Sequence, residues 1–235
     1  MKQILHSMRK IQTNSIKRWG RLKKSLLFFV FLTFFSYLCN IILTIFIMIT
    51  QEIKEKNLKL FFGKLSKLGV NTSILEEKYG EKLLNATFTN SNEYGNAYDG
   101  SFLEILLKVL TPYAVRINEL LPNDKTVDKD TLVKVCLLHQ IAKAVRIVPN
   151  DNQWEIEKRG LIYKYDSTLP SIRTGLHSLS MCMECGIDLT ASEIEALTIN
   201  DRDLSDDQAR WHASVMATIV RQANELTYVQ INNKK

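Results

Sequence analysis

Few residues in this chain of 235 have the type and spacing to do chemistry. His139 stands beside Gln140, with Lys143 close behind, at the end of an apolar run that includes Cys136. A histidine can ligate a metal or move a proton, and a lysine can hold a phosphate oxygen. Arg146 and Arg173 are further cations that could join Lys143 on an anion. Cys182 and Cys185 form a single CxxC, with His177 and His212 as the nearest histidines to complete a zinc set. No second CxxC and no paired HxxxH accompanies it, so the pair reads as the buried face of a helix. A redox CxxC needs a thioredoxin-like βαβ setting, which is absent. The acidic stretch Asn200–Asp207 lacks the glycine and the bidentate Glu of an EF-hand and reads as a solvated helix entry. Trp211 and His212 read as packed side chains. No phosphate loop, dinucleotide fingerprint, HExxH or nucleophile elbow appears.

Helices must position these groups. Leu58, Leu60, Phe61, Phe62, Leu65 and Leu68 among lysines, then Gly69, predict an amphipathic helix with a glycine stop. Ser73-x-x-Glu76 predicts a capping box opening a helix to about Asn85. Residues 87–99 read as a loop. The apolar stretch 100–121 reads as a helix that Pro112 kinks or splits. Asp128 or Asp130 caps a helix over 131–144. Residues 154–165 alternate around Arg159-Gly160 and predict a β-hairpin. Residues 173–185 form a helix ending at Gly186, and Thr190-x-x-Glu193 caps the next. Ser205-x-x-Gln208 caps the last, which runs to about Val229.

The N-terminus differs from the rest. Eight of the 31 Lys and Arg, and none of the 25 acids, precede residue 51. The remainder is slightly acidic, which argues against a nucleic-acid partner. Residues 26–50 carry no charge, and Phe, Leu and Val crowd positions 26–35. A helix of that length exceeds a hydrocarbon core of roughly 30 Å. The expectation is a basic tail (1–24), a single transmembrane helix (25–50) and a helical domain (51–235). The basic tail favours a cytoplasmic N-terminus, though five lysines soon follow the span. Met48-Ile-Thr-Gln-Glu also reads like the start of a soluble chain, which would place the domain in the cytoplasm. Reduced thiols fit that compartment. Asn71 and Asn85 begin glycosylation sequons that matter only outside it.

Leu137-Leu138-His139-Gln140-Ile141-Ala142-Lys143-Ala144 resembles the LLHDIxKA signature of the HD-domain metal-dependent phosphohydrolases. Gly100 to Leu107 resembles the family's GGLLEHSL helix, and Leu169-Pro170 with Arg173 to Ser178 resembles its lPxGHGxxS element. Leu189 to Asn200 is similar to LTxEEaxAIxxH, and Val220 to Glu225 to the closing lhxADxxa helix. The resemblance spans roughly residues 57–230 and implies an HD-domain-like, all-α bundle with one small β-hairpin. It also implies where the family's metal ligands would fall. The first histidine is replaced by Ile105, the adjacent aspartate by Gln140 and the last aspartate by Asn224; only His139 remains. The outer histidines are replaced by Thr174 and Asn200.

Isoleucine cannot ligate, and neutral amides are weak donors for a divalent ion. The expectation is therefore no metal, no cofactor and no catalytic residue. What remains is a vestigial pocket of Glu104, Ile105, His139, Gln140, Lys143, Thr174, Asn200 and Asn224. Lys143, Arg146 and Arg173 are its candidate phosphate-binding groups. The chain would be an inactive binding or structural module, anchored to a membrane by residues 26–50 and taking a protein or nucleotide partner. Two alternatives stand beside it. One is an active phosphohydrolase with carboxylates from Glu104, Asp201 or Glu225. The other is a helical membrane-anchored adaptor unrelated to HD enzymes.

Overall fold

Short-range capping chemistry sets most of the helix ends. The computed structural model describes residues 50–91, 96–201 and 213–232. Its first helix, α1, covers residues 50–67 and buries Phe61, Phe62 and Leu65. Gly69 closes it at φ +78°, and the Val70 amide turns back to the Leu65 carbonyl at 3.1 Å. Helix α2 is Ser73–Asn85. The expected Ser73–Glu76 capping box does not form. Asn71 instead accepts both the Ser73 amide (3.2 Å) and its hydroxyl (2.7 Å), so Ser73 lies inside the helix and Thr72 at its cap.

Helix α3 (Ser101–Ile105) runs through a π turn, Leu106–Leu110, into α4 (Thr111–Glu119). Pro112 does not split this run. It sits in the first turn of α4, where the wider π turn ahead of it accommodates the ring and the missing N–H. Asp128 caps α5 (Lys129–Leu138), accepting from the Thr131 amide at 2.8 Å. This helix does not reach Ala144 as the periodicity suggests. His139 is extended, and Gln140 takes φ +61°, a left-handed backbone that ends a helix. A tight turn then leads into the single-turn α6 (Lys143–Arg146).

The hairpin expected over 154–165 is also absent. Strand β1 (Ile147–Pro149) pairs antiparallel with β2 (Tyr163–Tyr165), Ile147 opposite Tyr165, and a helix α7 (Gln153–Arg159) lies between them. Asn152 caps α7 through the Trp154 and Glu155 amides, Glu155 pairs with Arg159 one turn on, and Gly160 stops it at φ +64°. The Arg159-Gly160 signal is thus a helix end and not a hairpin turn.

Helix α8 (Thr174–Glu184) ends before Gly186 at φ +68°. Helix α9 (Ala191–Thr198) opens on a complete Thr190–Glu193 capping box and passes into a 3-10 turn, Ile199–Asp201. Helix α10 (Val215–Ile231) is capped by Ser214. The Ser205 cap, Trp211 and His212 lie outside the described residues, as do the basic tail and, but for Thr50, the expected span 25–50. Among the described residues no helix is long and apolar enough to cross a membrane.

The described architecture is all-α with one small sheet. Helix α10 packs on α4, α9 and the π turn, and α5 packs on α4 and α9. Leu110, Leu132, Val135, Leu138, Leu197 and Val220 fill the space between them, all buried.

Candidate functional site

The break after α5 turns His139 and Gln140 toward the interior. His139 has no solvent exposure. Asn200, in the 3-10 turn, donates its amide to Nε2 at 2.8 Å. The proton therefore sits on Nδ1, which donates to the Leu197 carbonyl at 3.2 Å. Burial first, and then the charge of Lys143, push this imidazole down to about 3, while the Leu197 carbonyl opposes them. Both ring nitrogens are engaged, which leaves no lone pair free for a metal.

Gln140 reaches Asn224 of α10 with its Nε2 donating to Oδ1 at 3.5 Å, a bond at the limit of reach. Its own Oε1 is buried with no partner. The turn is pinned to α8 by Ser178, whose hydroxyl accepts the Ala142 amide at 3.1 Å and donates to the Thr174 carbonyl at 2.9 Å.

Lys143 is buried, and its ammonium donates to the Phe88 carbonyl at 2.9 Å and to the Tyr228 hydroxyl at 3.0 Å. No carboxylate pairs with it among the described residues, and burial drops it to about 7. The Phe88 ring face lies 3.7 Å from Nζ and favours the charged form, against the larger loss of hydration. Arg146 lies half-buried with Nη1 at 3.5 Å from His177 Nδ1. Arg173 is exposed and donates to the Asp201 carbonyl. The Asp201 carboxylate accepts the Gly175 amide at 3.0 Å and the Leu176 amide at 2.7 Å, so it caps α8.

The structure thus joins His139 to Asn200 and Gln140 to Asn224. Ile105 is a core side chain at the end of α3. Glu104 turns to Lys108 (2.8 Å) and Tyr98 (3.0 Å), and the Lys108 contact above all holds its carboxyl below the usual range. Glu225 is exposed. Cys136, Cys182 and Cys185 are buried free thiols, and burial pushes Cys182 up to about 12. Among the described residues no group of three His, Cys, Asp or Glu is placed to hold a metal ion. A donor set of one occupied imidazole and two neutral amides does not fit a divalent metal.

Sequence reasoning missed Tyr228, Phe88 and Ser178 as neighbours of this centre. Tyr228 had a signal, since it lies one helical turn beyond Asn224. The Phe88 contact is through a loop carbonyl, which no side-chain pattern marks. A cleft of about 510 Å³ opens elsewhere, beside α2, α6 and β1, with Lys82, Ala144, Ile147, Tyr163 and Asp166 in its wall. His139 and Asn224 do not line it. The chain matches no known protein family, no curated protein and no solved structure.

Proposed function

We propose that this chain is a catalytically inactive HD-fold module, a binding or structural protein whose metal centre has become a hydrogen-bonded junction. The observation that carries this is the closure of His139. Its two nitrogens bind Asn200 and Leu197 inside the fold, with no exposed surface. The remaining positions of the ligand set, Ile105, Gln140 and Asn224, bring no negative charge to hold a cation. In this reading the junction ties the end of α5 to α10 and to the turn after α9. The uncharged stretch 26–50 anchors the domain to a membrane, and the domain serves as the docking part.

Metal analysis by mass spectrometry tests it on the purified full chain beside an Ile105→His, Gln140→Asp, Asn224→Asp variant. The expected result is a metal-free natural chain and about one Mn²⁺ or Fe²⁺ gained by the variant. Stoichiometric metal in the natural chain would overturn the reading and favour an active phosphohydrolase. Metal in neither would remove the HD assignment and leave a helical adaptor.

A further inference from the structure

Arg146 ends α6 at the place where that helix meets β2 and α8. The Asp166 amide beside β2 donates to its carbonyl at 2.8 Å, and His177 of α8 faces its guanidinium. No carboxylate pairs with this cation: none of the ion pairs among the described residues includes it. Its Nε is buried with no acceptor. Its Nη1 has only the neutral His177 Nδ1, at a long 3.5 Å. Burial, and then the charge of Arg146, hold His177 below its ordinary value, with Glu184 opposing. Glu184 itself is taken by Lys78 at 2.7 Å and Tyr79 at 2.8 Å.

Lys143, one turn earlier on the same helix, also has no carboxylate partner among the described residues; its ammonium donates only to the Phe88 carbonyl and the Tyr228 hydroxyl. Lys134 shows the contrast. It too reaches the interior, and there it meets the buried Glu193 at 3.0 Å. Buried guanidinium donors are ordinarily satisfied, and an orphan signals a missing acceptor. Planar guanidinium donors match an oxyanion. A carboxylate offers two oxygens in one plane and would occupy the guanidinium alone. A phosphate offers more, in a tetrahedral arrangement, and can also accept from His177.

We propose that Arg146 and His177 form a binding site for a phosphate-bearing ligand. Arg173, grouped with Arg146 on sequence grounds, is not part of it, because its guanidinium is turned to Asp201. The site does not depend on the metal-centre reading, since none of its residues belongs to that ligand set.

Isothermal titration calorimetry of the full chain in mild detergent tests this, with inorganic phosphate at constant ionic strength. Saturable binding near one per chain is expected at pH 7. Arg146→Gln is expected to weaken it about tenfold or more. His177→Asn should weaken it less, and because His177 is half-exposed this variant serves if Arg146→Gln does not fold. Arg173→Gln and added acetate should change nothing. Phenyl phosphate and vesicles containing phosphatidate then compete as a soluble and a lipid source, and displacement by either supports the site and names the source. No saturable binding, equal affinity in Arg146→Gln, equal loss in Arg173→Gln, or displacement by neither competitor would overturn the proposal.

Discussion

Asn200 donates its side-chain amide to His139 Nε2 at 2.8 Å, across 61 residues of chain. This one bond fixes the histidine tautomer and ties the turn after α9 to the break after α5. The other end of the same ring holds the Leu197 carbonyl at 3.2 Å, which lies at the end of α9. The ring therefore acts as a two-ended strut.

Asn200→Ala removes the donor and leaves a buried imidazole nitrogen with no partner. The loss is expected to be about 1–3 kcal/mol, the range for stranding one buried polar atom. Urea unfolding followed by circular dichroism measures it. A value within a few tenths of zero would show that the strut carries no load.

Stability should rise with pH in two separate windows. Lys143 titrates near 7 in the fold against an ordinary 10.5, so between these values the unfolded chain binds the extra proton. Stability then rises with pH across that window and is lost as pH falls toward 7. His139 titrates near 3 against 6.5, and the same sign gives a second rise between pH 3 and 6.5. Each slope approaches about 1.4 kcal/mol per pH unit for one proton. Tyr79, Tyr98, Tyr163 and Tyr228, all pushed up, bring the curve down again above about pH 10, where unfolded tyrosines ionise. Unfolding at pH 5, 7 and 9 reads this out. Lys143→Met should flatten the upper window and narrow the lower one from its acid end, because the Lys143 charge helps to hold His139 down.

Gln140 separates what local sequence could show from what it could not. Caps at Asp128 and Thr190 and stops at Gly69 and Gly186 were legible because each rests on chemistry within a few residues. The break at His139–Gln140 was not. Helical periodicity continues through it, and the groups that hold it, Leu197, Asn200 and Ser178, arrive from far along the chain. The strands failed for a related reason. Alternation over 154–165 looked like a hairpin, but Asn152 starts a helix there and β2 finds its partner in β1 instead. Asn200 and Asn224 were grouped with His139 and Gln140 only through the resemblance, and no local pattern says that Asn200 meets His139 and Asn224 meets Gln140. The engaged state of Lys143 and the turning of Arg173 toward Asp201 depend on backbone carbonyls, which side-chain patterns do not display.

Position 140 offers a direct comparison of two truncations. Gln140→Ala and Gln140→Gly both delete the long bond to Asn224 and the orphaned Oε1. In a helix interior alanine would be more stable by about 1 kcal/mol. At φ +61° the order reverses, because a Cβ in the left-handed region costs about 1–2 kcal/mol that glycine avoids. The glycine variant should therefore be the more stable of the two by about 1 kcal/mol in denaturant melts. Alanine ahead of glycine would mean that α5 runs on through position 140.

Gly175 presents the opposite case, a helical glycine that cannot be improved. Inside α8, Gly→Ala would ordinarily stabilise by about 1 kcal/mol. Here a Cβ would meet the Asp201 carboxylate at 2.7 Å and the Leu197 carbonyl at 2.9 Å. Asp201 is held there because it caps the Gly175 and Leu176 amides, and Leu197 because its carbonyl also receives the His139 proton. Neither can move without loosening a second bond. Gly175→Ala is therefore expected to destabilise by about 1–3 kcal/mol, the range for overpacking. Combining it with Asp201→Ala removes one clash and the cap together, so the two losses should add to less than their sum. Full additivity in thermal melts would mean that the α8 entry and the Asp201 turn do not touch.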